Sequence, residues 1–183
     1  MIKDGAQYCI IFMHWGNEYQ LEASEDQLEL GQELCDIGFD AILGSHPHVV
    51  EPVDVLTSSD GDHKTFVAYS VGNLLSNQRR ELMGSDSPYG DTEDGLAITF
   101  TLTSDSEGKV SLTALNYDYT WVYHNNEEGD LYYILPLDDP DSLASTTGIK
   151  DLGTDPKDSI ARIDAILKES RNKVDGLLPV SGE

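Results

Sequence analysis

Basic residues are scarce in this chain of 183 residues: Lys and Arg number 11 against 34 Asp and Glu, a formal net charge of −23. The shortage argues against a nucleic-acid binder, whose affinity for phosphate backbones comes from Lys and Arg. It argues equally against unaided docking on anionic lipid. Cysteine is scarcer still. The two present, Cys9 and Cys35, are too few for a disulfide scaffold. Both lie in apolar stretches, where buried free thiols are the expectation. No apolar run approaches the about 20 residues of a membrane-spanning helix; the longest runs from Tyr8 to Met13. Met1 to Gln7 is short and polar and does not read as a signal peptide. Internal repeats and low-complexity tracts are absent. What is there, 39% hydrophobic and 25% charged residues, is the composition of a globular domain with an ordinary core.

The apolar run at residues 8–13 predicts a strand buried on both faces, as in a parallel sheet. Its position so near the first residue is expected of a piece of a longer protein. A polar and aromatic loop, residues 14–19, follows. Ser24, with Gln27 three residues on, forms a capping box. It predicts a helix with an apolar face of Leu28, Leu30, Leu34, Cys35 and Ile37, closed by Gly38. Residues 41–43 predict a second strand, with residues 44–48 as its exit loop. The three elements read as a parallel strand–helix–strand unit of an α/β fold. Residues 53–57 and 65–70 predict a hairpin. Residues 73–95 read as a long loop, and loops of that length are usually functional or mobile. Residues 96–103 and 110–117 predict a second hairpin, and residues 119–123 and 131–135 further strands. Residues 136–150 read as a connection. Asp155, as N-cap, and Pro156 then predict a helix whose Ile160, Ile163 and Leu167 share one face and pack on the sheet.

The chemistry concentrates at two strand ends. His14 ends the first strand, and His46 and His48 follow the second. Ligands of open α/β sheets gather at the C-terminal edge of the strands. Parallel neighbours lie only about 4.8 Å apart. One histidine at a strand end is ordinarily a plain loop residue. Three on neighbouring ends suit a borderline-soft divalent metal such as Zn, Mn or Fe. His63 and His124 read as polar loop positions. Trp15 adjoins His14 and is the one aromatic residue placed to stack on a substrate. Asp86, Asp91, Glu93 and Asp94, and then Asp138, Asp139 and Asp141, lack the spacing of a calcium loop and read as solvated surface.

Three motifs in order carry a resemblance: His14-Trp15-Gly16-Asn17-Glu18-Tyr19, Gly44-Ser45-His46-Pro47-His48-Val49 and Tyr69-Ser70-Val71-Gly72-Asn73. They resemble those of the CapA family of bacterial capsule and poly-gamma-glutamate biosynthesis, which is related to the calcineurin-like metallophosphoesterases. The resemblance covers residues 8–117, with a looser continuation to 137. It implies a two-sheet sandwich with a two-metal site at the strand ends. Residues 1–137 would be the C-terminal portion of that domain, and residues 138–183 an acidic connection, a helix and a tail. It implies that His14 and His46 share one metal and that His48 faces the other. Glu18 and Asn73 would orient ligands or touch the bound molecule. His14, Glu18 and Asn73 are thus the catalytic candidates, His14, His46 and His48 the metal ligands, and Mn, Zn or Fe the cofactor. The family's opening Asp-x-His, Gly-Asp-x-x-Asp and Gly-Asn-His-Asp/Glu segments are not in this chain, so its site is expected to be incomplete.

Two functions stay open at this point. One is a metal-dependent hydrolase of phosphate esters or a related bond. The other is a non-catalytic component of polymer assembly or export. In either case the expected partners are an anionic polymer or capsule-synthesis membrane proteins, together with the missing N-terminal half of the domain. The expected location is the cell surface, with tethering through a segment outside this chain.

Overall fold

Two sheets face each other across a shared apolar core in the computed structural model, which describes residues 5–125, 129, 131–149, 152–168, 170, 174 and 177. The first sheet holds β1 (Ile10–His14), β2 (Ala41–Ser45), β3 (Val53–Thr57) and β4 (Lys64–Ala68) in the order β1-β2-β4-β3. β1, β2 and β4 run parallel, and β3 pairs antiparallel with β4. The second sheet is antiparallel and holds β5 (Asp94–Ser104), β6 (Val110–Asn125) and β7 (Leu131–Pro136). Ala41, Val53 and Phe66 of the first sheet share a buried cluster with Leu96, Leu112 and Leu115 of the second. Phe100 meets Phe66 edge-on, with ring centroids 5.8 Å apart. The fold is α/β, and the expected sandwich with a parallel strand–helix–strand unit is present.

The helix of that unit, α1 (Glu25–Asp36), begins at the expected capping box: Ser24 and Gln27 bond each other reciprocally. Gly38, at a φ of 91°, follows its end, where a left-handed backbone costs glycine little. Its buried face differs from the periodic reading. Leu34 and Cys35 are buried, Leu28, Leu30 and Ile37 are exposed, and Gln27 and Gly31 take the inner positions. β1 differs too. It lies at the sheet edge, with Phe12 79% exposed, while Ile11 and Met13 pack inward beside Trp15 and Leu34. A continuous apolar run does not by itself reveal whether both faces are covered.

Further on, residues 119–123 are not a separate strand but the second half of the 16-residue β6. The long loop contains α2 (Arg80–Met83) and a 3-10 turn at Asp91–Glu93, and the connection after β7 contains α3 (Leu143–Thr147). The last helix, α4 (Asp155–Leu167), has Thr154 at its N-cap position, one residue earlier than expected and with no side-chain cap bond. Its Ile163 and Leu167 are fully buried in the core between the sheets, as their spacing predicts.

The acidic residues of the long loop are not all solvated. Glu93 and Asp94 are 0% and 2% exposed. Arg80 Nη2 lies 2.8 Å from Glu93 Oε2, Arg79 Nη2 lies 3.5 Å from Glu93 Oε1, and Trp121 Nε1 donates to Oε2 at 3.1 Å. Burial opposes ionisation of Glu93, but the Arg80 bonds, the Arg79 charge and the Trp121 donor outweigh it and hold the carboxyl below its usual range. Sequence spacing marks such residues as acidic, not as paired. Asp138, Asp139 and Asp141 are exposed, as expected.

Glu93→Gln leaves two guanidiniums with no buried counter-charge. It should cost roughly 3 kcal/mol in denaturant unfolding, whereas Asp138→Asn should stay within about 0.5 kcal/mol of the parent. Equal midpoints for the two variants would show that the pair does not hold the loop.

Candidate functional site

Because β1, β2 and β4 run parallel, their exits lie at one edge of the sheet. His14 pairs with Ser45 in register, so His46 leaves β2 one residue beyond the level of His14. The His14 and His46 ring centroids are 4.5 Å apart, and those of His46 and His48 are 6.3 Å apart. Backbone bonds stitch the two exit loops: Trp15 N donates to Ser45 O at 3.1 Å, and Tyr19 N to Pro47 O at 2.8 Å. Gly44 lets β2 and β4 leave the sheet in contact, since any side chain there would overlap the Tyr69 carbonyl. Tyr19, His46 and His48 are the positive-φ residues other than glycine among those described, at 63°, 106° and 62°. Such conformations cost about 1–3 kcal/mol each and persist where surroundings over-determine them.

His48 has the best-defined surroundings. Asn73 Nδ2 donates to His48 O at 3.1 Å and to Thr92 O at 2.9 Å, which uses both amide hydrogens. Asn73 Oδ1 therefore faces His48 Nδ1, 3.1 Å away. An amide oxygen only accepts, so His48 Nδ1 must carry a proton and donate. In the neutral ring the lone pair is then on Nε2. That atom lies 3.9 Å from Glu18 Oε1, and the Tyr19 ring stacks on the imidazole with centroids 6.0 Å apart. The structure thus brings His14 and His46 together, and His48, Glu18 and Asn73 together, with His46 between the two groups.

The donor types fit a divalent metal, since neutral imidazole is its commonest side-chain ligand. Among the described residues, no three of His, Cys, Asp and Glu converge closely enough to hold an ion by themselves.

The other sequence candidates fall outside the cluster. Trp15 is only 9% exposed and donates from Nε1 to Tyr69 O at 2.8 Å, so it packs rather than offering a stacking face. His63 Nε2 bonds Phe39 O at 2.9 Å, and His124 stacks on Tyr132 of β7. Cys9 and Cys35 are buried and free, as their contexts suggest.

One buried polar pair beneath the site escaped the sequence reading. Gln27 Nε2 donates to Glu51 Oε2 at 2.6 Å, and Glu51 N donates to Ser70 O at 3.1 Å. Glu51 is 0% exposed, and burial pushes its carboxyl up to about 7 against the pull of the Gln27 bond. It joins the start of α1 to the exits of β2 and β4. The available signal was one charged residue in the otherwise apolar Val49-Val50-Glu51-Pro52-Val53.

With this geometry in place, the chain can be set beside the known proteins it is similar to. Residues 1–78 match the sequence profile of the family described as bacterial capsule synthesis protein PGA_cap. The PGA biosynthesis protein CapA of Bacillus subtilis (strain 168) is 28% identical over 114 residues, which are 62% of this chain and 26% of that protein. The capsule biosynthesis protein CapA of Bacillus anthracis is 34% identical over 114 residues, 62% of this chain and 24% of that protein. The matched stretch therefore spans about a quarter of the length of these curated relatives. No solved structure matches.

Glu51 gives the site a pH signature in stability. Its folded-state value lies above the ordinary 4.5, at about 7, so its contribution is full below 4.5 and is lost as pH rises through about 7. Glu51→Gln removes the titration. Relative to the parent, the variant should gain roughly 3 kcal/mol between those limits in denaturant melts. A constant difference across that window would mean that Glu51 ionises normally.

Proposed function

We propose, from the match of residues 1–78 to the capsule synthesis family and the likeness to two CapA proteins, that this chain is part of a surface protein of capsule or poly-gamma-glutamate biosynthesis. In this reading the sheet edge contributes His14, His46 and His48 to a metallophosphoesterase-like metal site. The observation that carries it is the convergence, at parallel strand exits, of three histidines that lie within the matched span, with His14 and His46 rings 4.5 Å apart. The His48 tautomer supports it, because Asn73 leaves Nε2 as the free ligand atom. A divalent metal would supply Lewis acidity and a more acidic bound water. Glu18 is placed to hold or receive a proton beside His48, and Asn73 to fix that ring. The substrate class is a phosphate ester or a related bond.

The position of β1 at the sheet edge suits pairing with the N-terminal half of the family's domain as a partner. That half would bring the further ligands. The reading includes tethering at the cell surface through a segment outside this chain; no described helix is long and apolar enough to cross a membrane.

A second reading has its own support. The net charge is −23, and the described arginines, Arg79, Arg80 and Arg162, each lie in ion pairs with acidic residues. A polyanion such as polyglutamate would meet repulsion here unless divalent cations bridged the two. The chain would then be a non-catalytic assembly or export component that holds polymer through metal.

Calorimetric titration with Mn²⁺ and Zn²⁺ tests the common premise. Saturable binding should weaken at least tenfold in His46→Ala and in His48→Ala. In the longer protein, manganese-dependent hydrolysis of an aryl phosphate should fall to background in both variants. Unchanged turnover in both would remove the enzyme reading. Cation-dependent retention on polyglutamate without turnover would select the second.

A further inference from the structure

We propose that Arg162, on α4, is a positioning residue for His48, so that the C-terminal helix belongs to the site. Arg162 and its partner Asp94 both lie beyond residues 1–78, the span of the family match. Arg162 Nε donates to Asp94 Oδ2 and Nη2 to Asp94 Oδ1, each at 2.7 Å, and Ser159 Oγ donates to Oδ1 at 2.6 Å. Arg162 Nη2 also reaches Gly90 O at 3.4 Å. The side chains of Asp94 and Arg162 are 2% and 14% exposed. A two-point guanidinium–carboxylate contact fixes direction as well as distance.

The segment so fixed is the one that holds Asn73. Asp94 O accepts from Asn73 N at 3.1 Å, and Thr92 O accepts from Asn73 Nδ2 at 2.9 Å. Gly72 permits the approach, because a side chain there would strike the Asp94 carbonyl. Its φ of 70° is also a backbone state that glycine adopts at little cost. Asn73 in turn holds Nδ1 of His48. Arg162 thus acts on His48 through two links, the Asp94 backbone and the Asn73 amide. Displacing Asp94 frees the amide to turn, and the imidazole loses the acceptor that keeps its proton on Nδ1.

The importance of His48 rests on the metal-site reading, but its tautomer can be read without metal. Nitrogen-15 NMR of the histidines in the metal-free chain, at a pH where they are neutral, should show His48 as the Nδ1–H tautomer. Arg162→Lys keeps the charge but loses the two-point contact. Asp94→Asn with Arg162→Gln removes both buried charges together and guards against misfolding of a single variant. In either, folding being confirmed by the amide spectrum, His48 should shift toward the Nε2–H form that dominates free histidine. Mn²⁺ binding, where the parent shows it, should weaken about tenfold. In an Asn73→Ala background Arg162→Lys should add no further shift. Folded variants with unchanged His48 signals overturn the proposal, and so does an Arg162→Lys effect that persists in Asn73→Ala. A parent that binds no Mn²⁺ counts against the metal-site reading alone, because the tautomer still decides this one.

Discussion

Parallel pairing of β1, β2 and β4 is the constraint on which the site depends. Parallel strands send their chains out at the same edge, and neighbours are separated by one ladder spacing. Two exits that each begin with histidine are therefore brought side by side by the register itself. Contacts beneath them preserve that placement: Trp15 and Gln27 both donate to Tyr69 O, and Gly44 permits the close approach of β2 to β4. Three positive-φ residues at this edge are held by that scaffold against their own preference.

The second constraint is electrostatic. A chain this acidic has few cations, and three of them are placed inside the fold. Arg79 and Arg80 close on Glu93, and Arg162 on Asp94. These pairs tie the loop after β4 to the antiparallel sheet and to α4. Breaking one buried pair leaves the partner charge without compensation, so such pairs specify where the loop sits more than they add net stability. The carbonyls of Thr92 and Asp94, on either side of Glu93 in the chain, frame Asn73. The ion pairs and the imidazole cluster are therefore parts of one arrangement.

Much of this was legible in the chain. The capping box at Ser24 and Gln27 marked α1 because it is a local pattern with a local cause. The strand–helix–strand spacing implied parallel exits, and with them the meeting of His14 and His46. The resemblance motifs singled out Glu18 and Asn73 as candidates, and their nearness to His48 is a finding of the structure. Other features depended on long-range partners. The exposure of Phe12 follows from strand order, which an apolar run does not encode. The burial of Glu93 and Asp94 needed Arg80 and Arg162, the latter 68 positions from Asp94. Gln27 does double duty, capping α1 and bonding Glu51, and only the first role has a sequence signature.

The proposed function has the parallel strand exits contribute His14, His46 and His48 to part of a divalent metal centre. Its most direct test is anomalous scattering from crystals of the longer protein, with the N-terminal half of the family's domain present, soaked in zinc. The account predicts a peak about 2.0–2.1 Å from imidazole nitrogens of this cluster, with His48 bound through Nε2. Zinc found only at surface carboxylates, with the three rings bare, would contradict it.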